Sequence, residues 1–167
     1  GSTDDTAAIV GGKFPQVTLI ERENGGNAAA RNTGAKAACG EYVAFLDADD
    51  EWTPDHVSVQ IATKSWCVGA DLLLCQAAVD RAGTLKLPWL REGLHTLTLR
   101  DWLMQTPFTM GFSSCCSGWV MSRELFAAVG GFDESLRQCV DAEFALRFTS
   151  LGHSIVGVAH LGYKRFI

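Results

Sequence analysis

The sequence predicts an α/β fold, a sheet flanked by helices, and three observations carry that prediction. The first is the apolar run Val43-Ala44-Phe45-Leu46, which suits a strand buried on both faces, as strands are in sheets with helices on either side. The second is that further short apolar runs, at 17–20, 71–75, 118–121 and 154–159, alternate along the chain with segments of helical character. The third is the balance of 47% hydrophobic and 20% charged residues in a chain of 167, that of an ordinary globular protein with one domain and one core.

In chain order, Asp4-Asp5-Thr6 ahead of Ala7-Ala8-Ile9-Val10 reads as a helix start, with Asp or Thr near the N-cap and Gly11-Gly12 closing the helix. Residues 17–20 form a short strand. The turn-rich Glu21-Arg22-Glu23-Asn24-Gly25-Gly26-Asn27 then feeds an Ala-rich helix over 28–38, ended at Cys39-Gly40. Alanine is the best helix former, and its small side chain lets a helix lie close to a sheet. Arg31 and Asn32 fall on the first turns of this helix. Arg31 is there either as a solvated charge or as a group aimed at a phosphate or base from beside the next strand. Beyond the run at 43–46, residues 54–66 read as an amphipathic helix, 71–75 as a strand and 77–87 as a hairpin turning at Ala82-Gly83. Residues 98–105 read as a short helix, and 107–117 have no period, as in loops that carry function or disorder. Residues 118–121 make a strand, Ser122 caps a helix through Val129, and Gly130-Gly131-Phe132-Asp133-Glu134 is a tight turn. Residues 140–151 form a helix that buries Phe144, Phe148 and one of Ala145 or Leu146; Gly152 ends it, and 154–159 is the last strand.

The net charge of −5 and pI near 5.3 argue against a general nucleic-acid binder, whose phosphate contacts need a surplus of Lys and Arg. No apolar run approaches the roughly 20 residues that cross a bilayer, and the N-terminus lacks a basic region followed by an apolar one. A cytoplasmic chain is expected, at most held at the cytoplasmic face of a membrane within a longer parent. None of the six cysteines forms a Cys-x-x-Cys pair, and buried free thiols in a reducing compartment are expected. Cys115-Cys116 is the exception, since its Gly/Ser-rich setting suggests an exposed, oxidisable loop.

Chemistry concentrates where the run at 43–46 ends in Asp47-Ala48-Asp49-Asp50-Glu51. One reading makes these acids a solvated turn that caps the next helix, with Pro54 at N1 and Thr53 or Asp50 as N-cap. The other places them at the carboxyl end of a strand, where open α/β sheets bind ligands and where like charges call for a cation between them. Oxygen ligands favour magnesium or manganese over zinc, and an ion held by one or two side chains shares its sphere with phosphates. That chemistry points to a nucleotide or nucleotide-sugar. Asp141 and Glu143 lie in the first turn of the late helix, where the helix dipole alone accounts for two acids.

Three separated segments carry a resemblance. Asn24-Gly25-Gly26-Asn27-Ala28-Ala29-Ala30-Arg31-Asn32-Thr33-Gly34, then Gly40-Glu41-Tyr42-Val43-Ala44-Phe45-Leu46-Asp47-Ala48-Asp49-Asp50, then Arg123-Glu124-Leu125-Phe126 through Gly130-Gly131-Phe132-Asp133-Glu134 resemble, in order and spacing, the family 2 glycosyltransferases of the GT-A fold. The resemblance implies a bacterial-type transferase that uses a UDP-, GDP- or dTDP-sugar and a hydroxyl acceptor of unknown identity, on a mixed sheet flanked by helices. It makes Asp47-Ala48-Asp49 the Asp-x-Asp motif, with Asp47 on the donor's ribose or the metal and Asp49 on the Mn or Mg that bridges the diphosphate. Asn24 and Arg31, in the first segment, are implied to help hold the nucleotide. A cation there neutralises the charge that develops as the leaving group departs. In inverting members a carboxylate at the start of the late helix, usually in a Glu-Asp pair, takes the acceptor's proton. Here the position reads Gln138-Cys139-Val140-Asp141-Ala142-Glu143, so Asp141 is the expected base, Val140 stands where the Glu would be, and Glu143 is the weaker substitute.

The chain departs from the family at its front, where members open with an apolar strand and a second strand ending in Asp-Asp-Gly-Ser-Thr-Asp-Asp-Thr. This chain begins at Gly1-Ser2-Thr3-Asp4-Asp5-Thr6, and Gly1-Ser2 reads either as native sequence or as a tag scar. A single partial GT-A domain over 1–167 is therefore expected, lacking the first strands and the acidic pair that reads the nucleobase. Its exposed sheet edge would favour homo-oligomers. The rival is a non-catalytic remnant, a scaffold or assembly module with an incomplete donor site; a metal-dependent phosphohydrolase would leave the other matching segments unexplained. Acceptor choice is expected in 87–117, where Trp89, Trp102, Phe108 and Phe112 stack on sugars or fill the core.

Overall fold

Two long strands form the spine of a seven-stranded mixed sheet in the computed structural model, which describes residues 1–67, 69–81, 84–86, 94–98 and 115–166. β3 (Leu72–Arg81) and β7 (Ile155–Phe166) run parallel from Leu72↔Ile155 to Asp80↔Phe166, with the register shifting on either side of Gln76. Their outer neighbours, all antiparallel, change across that shift. Before it, β6 (Trp119–Ser122) pairs with β3, β1 (Tyr42–Ala44) pairs with β6, and β5 (Leu94–Leu97) pairs with β7. Beyond it, β4 (Thr84–Lys86) pairs with the end of β3 and β2 (Asp50–Trp52) with the end of β7.

Alternation along β3 sorts its side chains between two cores. Leu72 and Leu74 join Phe45, Met121 and Ile155 beneath α2 (Gly26–Ala37), α4 (Arg123–Ala128) and α5 (Val140–Ser150), while Leu73 packs with Val156, Val158 and Ala70. α3 (His56–Trp66) lies against β3 and β7. The first core is aromatic: Phe132 and Phe144 sit 5.1 Å apart between centroids, and Trp119 sits 5.6 Å from Phe144. Each such fully buried ring contributes on the order of 1.5–3 kcal/mol. Ala28, Ala29 and Ala35 of α2 are buried, and Ala28 and Ala35 belong to the first core. Ser122 Oγ accepts the Leu125 N–H at 3.0 Å and starts α4 as expected. Gly131 follows with φ 65°, at a place where an added Cβ would stand 2.8 Å from Asn32 Oδ1.

Several elements differ from the expectation. Residues 17–20 form no strand: none pairs with them among the described residues, and Val17, Leu19 and Ile20 are exposed. α1 (Thr6–Lys13) runs through Gly11-Gly12 instead of stopping there and buries no residue. β1 is not buried on both faces; with β6 as its one described neighbour, Val43 and Phe45 face the core while Ala44 and Leu46 face outward. Neither Thr53 nor Asp50 caps α3, which begins at His56. The Thr53 N–H and Oγ1 both donate to the Gly162 carbonyl, and Asp50-Glu51-Trp52 lies along β7 as a strand. That pairing, together with β3, extends the last strand to Phe166. The hairpin after β3 is present in the Arg81↔Thr84 register. Its turn at Ala82-Gly83, the helix expected at 98–105 beyond Thr98, and Trp89, Trp102, Phe108 and Phe112 lie outside the described residues.

Candidate functional site

The acidic loop that leaves β1 is fastened at both ends to one buried serine. The Asp47 N–H donates to Ser117 Oγ at 3.1 Å, and Trp52 Nε1 donates to the Ser117 carbonyl at 2.7 Å. Ser117 lies on the 3₁₀ turn Cys116–Gly118, which Gln60 of α3 supports by donating Nε2 to the Gly118 carbonyl at 2.9 Å. The turn packs this closely because position 118 carries no side chain; a Cβ there would stand 2.9 Å from Tyr163 Cε1.

Arg31 projects from α2 into the gap between this loop and α5. Nη2 donates to Asp47 Oδ1 at 2.5 Å and Nη1 to Asp141 Oδ1 at 2.9 Å, from a side chain only 10% exposed. Its guanidinium lies 5.5 Å from the Phe132 ring centre. The second oxygen of Asp141 accepts the Cys116 N–H at 3.2 Å. A planar fork is suited to joining two carboxylates in this way, and one guanidinium here spans the acidic loop and the late helix. The next residue, Asn32, fastens the third segment: Nδ2 donates to the Phe132 carbonyl and Oδ1 accepts the Phe132 N–H, each at 2.9 Å. The three segments singled out in the sequence therefore meet at two consecutive residues of α2.

Burial raises the Asp141 carboxyl above the ordinary aspartate range, with Arg31 and the Cys116 N–H pulling it back. Asp50 is likewise raised by burial, opposed by hydrogen bonds from Ser117 and Cys115. The hydrogen bond from Cys116 lowers Cys115, and the same contact with burial raises Cys116. Neither thiol lies on an exposed loop, which corrects the expectation for 115–116: both are buried under the acidic loop, with Cys115 Sγ 3.3 Å from Asp47 Oδ2. None of the six cysteines forms a disulfide, as expected, but Cys39 and Cys139 are exposed.

Other predicted residues stand outside this cluster. Asn24 accepts the Gly26 N–H at 3.0 Å at the entrance to α2 and lines a shallow cleft with Arg22, Asn27, Gly1 and Ser2, which none of the clustered carboxylates lines. Asp49 is exposed on the turn between Asp47 and Asp50. Glu143 pairs with Arg147 at 2.6 Å across one helical turn. Arg165, which the sequence reading missed along with Ser117, lies opposite Asp50 in the β2–β7 register, and its charge is felt at Asp141. No local motif marks either residue. As for a metal, Asp47, Asp50 and Cys115 each offer a ligand atom, all within 4.8 Å of one another. The Asp50 Oδ1 atom is buried without a hydrogen-bond partner among the described residues. Two carboxylates at a strand end fit a divalent cation, and the structure sets Asp50 beside Asp47.

Comparison with known proteins accords with this geometry. Residues 1–130 match the family model described as glycosyl transferase family 2. Over 116 residues the chain is 36% identical to YibD, an uncharacterized glycosyltransferase of Escherichia coli (strain K12), across 58% of this chain and 34% of YibD. Over 155 residues it is 32% identical to the O-antigen biosynthesis protein RfbC of Myxococcus xanthus, across 78% of this chain and 11% of RfbC. The chain thus spans about a third or less of the length of these relatives. The S. aureus TarS 1–349 structure in complex with UDP-GlcNAc aligns with a TM-score of 0.75 at 21% identity, over 99% of this chain and 47% of that one, which shows a shared GT-A fold. No helix among the described residues is long and apolar enough to cross a membrane. With the family model matched over residues 1–130 of 167, the chain belongs to glycosyl transferase family 2.

Proposed function

We propose that the chain transfers a sugar, with inversion, from a nucleoside-diphosphate donor to a hydroxyl acceptor. The observation that carries this reading is the Arg31 bridge, which holds Asp47 and Asp141 in one half-buried cluster beyond the end of β1. In this reading Asp141 accepts the acceptor hydroxyl's proton while its oxygen bonds to the anomeric carbon. The bond to the diphosphate breaks at the same time, and its electron pair leaves on the phosphate oxygen. Arg31 keeps both carboxylates oriented, and Arg165, opposite Asp50 in the β2–β7 register, would offer the departing diphosphate a positive charge. Asp47 and Asp49 would hold manganese or magnesium, which when bound supplies neutralisation of the phosphate charge. Relatives that are glycosyltransferases, and a structural neighbour in complex with UDP-GlcNAc, support a nucleotide-sugar donor. In a longer parent the same domain would act in the cytoplasm, or at the cytoplasmic face of a membrane.

A thermal-shift titration with UDP, GDP and dTDP, with and without manganese, tests the reading. A manganese-dependent rise in Tm that disappears in Asp49→Ala is expected, and the preferred base names the donor class. The second reading, a scaffold with an incomplete donor site, is favoured by α1, which buries nothing, and by Asn24, which stands outside the cluster. It requires that no nucleotide shifts the Tm.

A further inference from the structure

Asp47-Ala48-Asp49-Asp50 is a tight turn, closed by the Asp50 N–H donating to the Asp47 carbonyl at 3.1 Å. Asp49, read above as a metal ligand, is exposed at its third position. Carboxylates crowded into so short a turn repel one another, and holding such a turn in one shape before a cation arrives is costly. One side chain meets both ends of it. Ser117 Oγ accepts the Asp47 N–H at 3.1 Å, and its hydroxyl donates to the Asp50 carboxylate. Ser117 is fully buried, so solvent does not compete for either bond. Its own place is fixed from the side away from the turn. Trp52 Nε1 donates to the Ser117 carbonyl at 2.7 Å while its ring stacks on His56 at 4.5 Å, and Gln60 Nε2 holds the next carbonyl at 2.9 Å.

We propose that Ser117 is a positioning residue of the donor site, whose hydroxyl presets the acidic turn for the divalent cation that bridges the nucleotide's diphosphate. The inference rests on the donor reading above, and Ser117 acts in it only through Asp47 and Asp50. Because the turn takes its shape during folding, less ordering is left when metal and nucleotide bind, which raises affinity without any new contact. The hydroxyl therefore sets how much metal the site requires, and not how the loaded site behaves.

Equilibrium dialysis of labelled UDP, GDP and dTDP at fixed temperature, over a series of manganese concentrations, tests it. Ser117→Ala removes the hydroxyl and adds no bulk. It should raise the manganese concentration for half-maximal nucleotide retention by more than about tenfold, the least that losing a partner of a metal ligand usually costs. Retention at saturating manganese should match that of the unaltered protein. Phe148→Leu, in the aromatic core beside Phe144 and His153, separates this effect from general loosening: it should lower the Tm and leave the manganese requirement unchanged. Trp52→Phe keeps a ring on His56 but removes the donor to the Ser117 carbonyl, and should raise the requirement by about two- to tenfold, the worth of one hydrogen bond. That variant decides the matter if Ser117→Ala does not fold. An unchanged requirement in the deciding variant, or an equal rise in Phe148→Leu, would overturn the proposal and leave the donor reading standing. No nucleotide retained by the unaltered protein at any manganese concentration would instead remove the donor reading, and this inference with it.

Discussion

Asp141 has two neighbours that prefer it charged, Arg31 and the Cys116 N–H, and a burial that opposes them and prevails. Asp141→Asn keeps the shape and the contact with Cys116 while removing the proton acceptor. Transfer should fall by about 10²–10⁴-fold, the usual contribution of a general base, with the nucleotide-induced Tm shift retained. The pH profile carries a second expectation. A base works only when deprotonated, and a carboxyl raised above 3.8 takes up its proton at a higher pH than an ordinary aspartate. The acid limb of the rate profile should therefore lie above that value and vanish with Asp141→Asn; a limb at the ordinary position would contradict the role. Asp47 and Asp141 were legible in the sequence because each sits in a motif or at a helix start. Ser117 was not: what makes it central is a pair of contacts to residues 65 and 70 positions away, which no local pattern records.

Among the elements, helices were read more reliably than strands, and the cause is physical. α2, α4 and α5 are set by local features, alanine content, the Ser122 cap and the spacing of Phe144 and Phe148, and they formed close to where these placed them. A strand needs a neighbour, so the apolar run at 17–20 formed none while the acidic Asp50-Glu51-Trp52 became one along β7. β7 itself was read seven residues short, ending at 159 where the observed strand ends at Phe166. Gly162 is the residue that lets it continue: a Cβ there would fall inside contact distance of Cys75 Sγ and of His56 Nδ1, and its carbonyl holds Thr53. Gly162→Ala should destabilise the fold by about 1–3 kcal/mol through overpacking, read as a lower denaturant midpoint at unchanged slope. An unaltered midpoint would mean that the strand relaxes at no cost.

At the scale of the molecule, the sheet ends at β1, whose outer edge has no neighbour among the described residues and borders a groove of about 420 Å³ against Ala30, Ala35 and Ala38 of the α2 side. Ala44 and Leu46 face outward beside that edge. Such an edge is a template for another strand, so self-association rising with concentration is expected in sedimentation velocity, and Leu46→Lys should return the protein to monomers. A monomer at every concentration would remove the edge as an interface. The curl of the sheet, with different neighbours on either side of Gln76, is not legible in the sequence, because it arises from a register shift between two strands whose paired residues lie more than 80 positions apart. The adjacency of Arg31 and Asn32 has a consequence for the whole assembly. One reaches the acidic loop and α5, the other the Phe132 turn, and only one rotational setting of α2 satisfies both. The helix behaves as a cam: a single residue inserted between Asn27 and Arg31 would turn the pair by about 100° and disengage both at a stroke, leaving the sheet folded and the site without its clasp.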